Sequence, residues 1–219
     1  MFIGHFGVAF GVKRAEPQIK LGTAVLATTF LDVAWPVLVA TGIESVRIEP
    51  GATAFTPLVF ERYPYSHSLA LAAVWAALFA WVYRRRGGSP RAAAWLGAVV
   101  VSHWFLDLIV HAPDLPLVPG LDVRLGFGLW SSVPGTLVVE GLLFAGGLWL
   151  YLSATRARDR IGTWGLWGLV ALLLASYAGA AAGPPPNVAA ITIADLVGTA
   201  ITIVWAYWVD RHREAVVLS

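Results

Sequence analysis

The sequence predicts an all-α fold, a polytopic membrane bundle of six or seven helices, and three observations carry that prediction. Hydrophobic residues fill 58% of the 219 positions and charged ones only 13%, against roughly 25% charged in an ordinary soluble domain. Apolar runs of about 20 residues, the length a helix needs to cross roughly 30 Å of hydrocarbon, recur at 20–41, 66–83, 92–111, 134–153, 162–182 and 188–209. Lys and Arg collect in alternate connections, as in a chain threaded back and forth through a bilayer.

In chain order, the apolar segment 2–12 comes first and reads as a short or half-inserted helix. It lacks the basic start and small-residue cleavage site of a secretory signal. The run 20–41 contains Pro36, which is expected to kink it. The run 66–83 follows Ser66, a good N-cap, and its Ala-rich stretch 69–77 suits close packing in lipid. The remaining four runs complete the bundle, with "GPPPN" (183–187) as a rigid turn between the last two. The whole chain, 1–219, reads as a single integral membrane domain without repeats.

Orientation follows from the basic residues. Lys13, Arg14, Lys20, Arg84, Arg85, Arg86, Arg91, Arg156, Arg158, Arg160, Arg211 and Arg213 fall on one side, and Arg47, Arg62 and Arg124 on the other. The first side is therefore expected to be cytoplasmic, with the C-terminus there, and the long connections 43–65 and 112–133 extracytoplasmic. The net charge of +2 then reports topology and gives no argument for a nucleic-acid partner. The absence of cysteine excludes disulfides and thiolate ligation.

Polar residues inside the runs do not scatter. On this topology His5, His67, His103 and His111 share one depth with Asp32, Asp107, Asp114, Glu140 and Asp195, in the outer half of the bilayer. His103 and Asp107, four residues apart, lie on one helix face, while His111 has drifted round it as a rim ligand or a loop anchor. An acid at a helix centre costs about 2.5–3.5 kcal/mol on insertion scales, which a bound cation or mutual pairing can offset. Nitrogen and oxygen donors of this kind suit zinc, with manganese or iron behind it. The bland alternatives are a helix cap for His67, a solvated His5, and ion pairs of Glu140 and Asp195 with Arg124, Arg62 or each other.

The stretches "RYPYSHSLA" (62–70), "SHWFLDLIVHAPDLPLVPG" (102–120), "LGFGLWSS" (125–132) and "YWVDRHR" (207–213) resemble a family of bacterial multi-span proteins. It is related to inner-membrane metal-dependent hydrolases, some of them described as LexA-binding. Those proteins are distantly similar to zinc-dependent phospholipase C and the single-strand-specific zinc nucleases. The resemblance implies a bacterial inner-membrane location and a metal set carried onto His5, Asp32, His67, His103 and Asp107. Two features depart from the pattern. The acidic motif is "FLDVAWP", with one acid, and the N-terminal amine ligand of the soluble enzymes has no evident counterpart.

The expected function is metal-dependent hydrolysis of a phosphate ester, on a lipid or lipid-linked substrate, at the extracytoplasmic side. His5, Asp32, His67, His103, Asp107 and His111 are the metal candidates. Glu140 and Asp195 are the candidates for general base or ligand orientation, and Arg62 is the candidate phosphate partner. The alternatives are a non-catalytic metal-binding membrane protein and, behind it, a transporter. The sequence does not speak to oligomeric state.

Overall fold

The computed structural model describes residues 1–216. The chain runs through α1 (Ile3–Ala15), α2 (Leu21–Thr28), α3 (Phe30–Ala40), β1 (Ser45–Ile48), β2 (Leu58–Arg62), α4 (Pro64–His67), α5 (Leu69–Arg85) and α6 (Pro90–Val110). It continues through β3 (Leu115–Pro116), β4 (Arg124–Leu125), a 3-10 turn (Leu129–Ser131), α7 (Val133–Ala154), β5 (Thr155–Ala157), α8 (Arg160–Ala181), α9 (Val188–Arg211) and β6 (Arg213–Ala215). The fold is mainly helical, and to the expected all-α bundle it adds three short antiparallel pairs, β1 with β2, β3 with β4 and β5 with β6.

Four helices, α6 to α9, are long and apolar enough to cross a membrane; α2 and α3, bent by 51° at their junction, would make a fifth span if taken together. At 17 residues, α5 is shorter. The break between α2 and α3 falls at Thr29, not at Pro36 as expected; Pro36 stays inside α3. The Thr29 hydroxyl donates back to the Val25 carbonyl at 2.8 Å, a competitor for the helical ladder that bends helices.

The long helices start on polar caps. Ser68, Ser89, Ser132, Asp159 and Asn187 accept from the backbone N–H three residues on, opening α5, α6, α7, α8 and α9. Each such cap is worth about 1 kcal/mol. The cap of α5 is thus Ser68, and Ser66, expected in that role, is left for another.

At 13 residues α1 is about 20 Å long, yet it is largely enclosed, with Ile3 to Gly7, Ala9, Phe10, Val12 and Lys13 buried. Its closest neighbour is α7. A Cβ on Gly7 would strike the Leu143 carbonyl, and one on Gly147 would strike the Gly7 carbonyl, so two glycines bring the backbones into contact. One buried apolar cluster draws on both helices and on α2, α3, α5, α6, α8 and α9.

The two ends of the bundle differ. At one, Lys13 donates to Asp210 at 2.9 Å, Arg91 meets Glu16 at 3.1 Å, and Arg213 donates to Thr155 Oγ1 and the Gly162 carbonyl. At the other, the N-termini of α1 and α7 meet the C-terminus of α6 beneath the β1–β4 loops.

Candidate metal centre

Four elements deliver the polar residues to that second end. Asp32 sits in the first turn of α3, just past the bend at Thr29. His67 ends α4, a single turn opened by Pro64, whose fixed φ suits a helix start. His103 and Asp107 project from one face of α6, and His5 from α1. All are buried except Asp32, whose side chain is 31% exposed.

His5, His103 and Asp107 form one group that could hold a metal ion, and Asp32, His67 and His103 form another, the ligand atoms of each lying within 4.8 Å of one another. Between the groups, His103 Nε2 is 3.5 Å from Asp32 Oδ1 and 3.1 Å from Asp107 Oδ2. His67 Nε2 is 3.5 Å from Asp32 Oδ1 and 3.7 Å from Asp107 Oδ2. The His5 ring stacks on His103 at 3.8 Å and 6°, with its Nε2 3.1 Å from Asp107 Oδ1. Met1 N also donates to Asp107 Oδ1.

The surroundings fix the protons on two rings. His103 Nδ1 lies 2.7 Å from the Thr28 carbonyl, which can only accept, so Nδ1 carries a hydrogen. Ser66 Oγ donates to Glu44 Oε2 at 2.6 Å and therefore accepts from His67 Nδ1 at 2.8 Å. Glu44 is held in turn by the backbone N–H groups of Tyr65 and Ser66. Both Nε2 atoms are thereby aimed at Asp32 and Asp107. Two imidazole nitrogens thus each face two carboxylates, an arrangement that repels itself unless a proton or a cation sits among them. His103 Nε2 is buried with no hydrogen-bond partner among the described residues, which fits a donor set built around a cation.

The other sequence candidates are placed differently. Glu140 is fully buried on α7, and its Oε2 accepts the Phe2 and Gly4 N–H groups at 2.8 and 3.2 Å. It caps α1 and so holds His5 in position. His111 belongs to neither metal group: its Nδ1 is 3.0 Å from Asp114 Oδ1, which also accepts from the Tyr63 hydroxyl at 2.7 Å. Burial, with Asp114 beside it, holds that hydroxyl well above the usual phenol range, so it keeps its hydrogen and donates. Arg62 is exposed on β2, where with Arg124 it lines a small outer pocket of about 240 Å³. It does not join the cluster.

A larger cavity, about 660 Å³, reaches from the cluster outward between α1, α3, α8 and α9. Asp32, His67, Asp107 and His111 line its inner end, Asp195 faces it from α9, and Trp35, Phe55 and Trp130 form apolar walls. Spacing alone did not point to Glu44, Ser66, the Thr28 carbonyl or the Met1 amine. The only sequence signal among these was the serine beside His67.

Comparison with protein families, with curated proteins and with solved structures finds no match.

Proposed function

We propose that this chain is a membrane-embedded metal-dependent hydrolase acting on a phosphate ester of a lipid or lipid-linked substrate. On this reading six or seven segments span a bacterial inner membrane, the cavity opens in its extracytoplasmic half, and the C-terminus is cytoplasmic. The observation that carries the proposal is the convergence of His67, His103, Asp32 and Asp107. Their four His-to-Asp distances of 3.1–3.7 Å lie near the roughly 3.3 Å that separates two ligand atoms on one zinc ion. Two carboxylates also balance a divalent charge.

An ion held there supplies Lewis acidity toward an ester oxygen and lowers the pKa of water to about 7. The chain's own residues do the rest. His67 and His103 are locked by their Nδ1 hydrogen bonds, Glu140 holds α1, and Asp32 is the ligand candidate most open to the cavity. Asp195, across that cavity, is the candidate for general base. Among the described residues no Lys or Arg side chain lines the cavity, so a phosphate would rely on the ion and on neutral N–H and O–H donors instead of Arg62.

Elemental analysis of the purified protein, before and after chelator, tests the metal, and a lipid headgroup-release assay tests the chemistry. The proposal expects stoichiometric zinc in wild type and metal affinity at least about tenfold lower in Asp107→Asn and His103→Gln, since each removes a charged or lone-pair donor. A folded wild-type protein that binds no transition metal would overturn it. One observation favours a second reading, a non-catalytic metal protein: every ligand candidate except Asp32 is buried, as in closed structural sites. Bound metal without headgroup release would select it. A transporter ranks third.

A further inference from the structure

The cavity has a second end. The halves of α8 and α9 nearest the cluster carry small residues at helical spacing, Ser176, Gly179 and Ala180 on one and Ala190, Ala194 and Gly198 on the other, and all six line the cavity. Small residues at that spacing usually mark helices in close contact, as Gly7 and Gly147 do between α1 and α7. Here they do the opposite. A Cβ on Gly179 or Gly198 would meet no atom within 4 Å, and all but Ala190 are exposed although they line a cavity. The wall is exposed along two helices that are long and apolar enough to span a membrane, so on the membrane reading hydrocarbon would lie at the opening. Independently, Trp35 and Trp130 line the same cavity, are more than nine-tenths buried, and have indole N–H groups without partners among the described residues. Buried donors of that kind await an acceptor.

We infer that the slot between α8 and α9 binds the hydrocarbon chain of a single-tailed membrane amphiphile, which enters from the bilayer and sets its polar head between the His/Asp cluster and the Trp35 and Trp130 indoles. At about 660 Å³ the cavity falls within the roughly 300–1,000 Å³ that hold one drug-sized ligand, room for one chain and a head. The fate of that head rests on the hydrolase reading. The binding of the chain does not.

The test uses the full chain in nanodiscs with a photoactivatable single-chain lysophosphatidylcholine, mapping adducts by mass spectrometry and measuring affinity by competition with the unlabelled lipid. Adducts are expected within 176–198. Gly198→Phe fills the slot without striking the backbone and weakens binding by about tenfold or more, the equivalent of two chain methylenes left unburied, with metal content unchanged. Gly146→Phe, on α7 away from the cavity and equally free of contacts, leaves binding as in wild type. Adducts elsewhere, or equal losses in the two variants, overturn the inference. Chain binding blocked by Gly198→Phe, but with no headgroup release from wild type, leaves the slot standing and removes the hydrolase.

Discussion

At the scale of single residues, the site depends on groups that never touch an ion themselves. His67 can offer Nε2 only while Nδ1 holds its hydrogen toward Ser66, and Ser66 accepts only because Glu44 takes its own hydrogen. Ser66→Ala should therefore lower metal affinity by about 10–100-fold, the usual loss for an outer hydrogen-bond partner of a ligating histidine. Glu44 keeps two backbone partners in that variant, so the loop should stay folded, and Ser66→Thr should restore binding. Zinc titration against a competing chelator checks both; unchanged affinity in Ser66→Ala would remove His67 from the ligand set. Asp32, His67, His103 and Asp107 could be picked out of the sequence because an ionisable side chain in an apolar run is conspicuous. Glu44 could not, since an acid in a polar loop is ordinary until the loop folds back over His67.

Among the elements, helix ends do much of the positioning. The start of α8 is held by Asp159, which accepts from Gly162 N–H at 2.9 Å and pairs with His212 at 2.7 Å. The neighbouring His212, and then the Gly162 amide, hold its carboxyl below the usual range. A folded pKa below the unfolded one gives stability that is complete above the unfolded value of about 3.9 and fades as pH falls through the lowered one. Thermal melts from pH 5 to pH 3 should fall more steeply for wild type than for Asp159→Asn, which keeps the cap oxygen but cannot titrate. Parallel curves would show that the pair contributes nothing measurable. The bend between α2 and α3 follows the same logic: the sequence drew attention to Pro36, whereas the hydroxyl of Thr29 sits at the break.

On the scale of the whole molecule, the short helix α1 joins the site to the bundle. It carries Met1 and His5 to Asp107, is capped by Glu140, and lies on α7 through Gly7 and Gly147. Gly147→Val would force the two backbones apart and should cost about 1–3 kcal/mol, the range for overpacking, while reducing metal occupancy by displacing His5 from its stack on the ligand candidate His103. Gly146→Ala, one position along and free of contacts, should be neutral or slightly stabilising. Denaturation in mild detergent with parallel metal analysis compares the two. Equal stability would mean the contact is looser than the structure places it.

The sequence by itself determined that the chain is mainly helical and apolar and singled out the ionisable residues in its apolar runs, because hydropathy and helical spacing are local properties of a chain. It also exposed the pair on α6, since residues four apart meet on a helix whatever surrounds it. Only the tertiary structure decided that Arg62 stands apart, that Glu140 caps a helix, that Ser66 serves a histidine and that a cavity lined by α8 and α9 opens beside the cluster. Those outcomes depend on backbone carbonyls, amides and the gaps between helices, which take their places only when distant segments pack together.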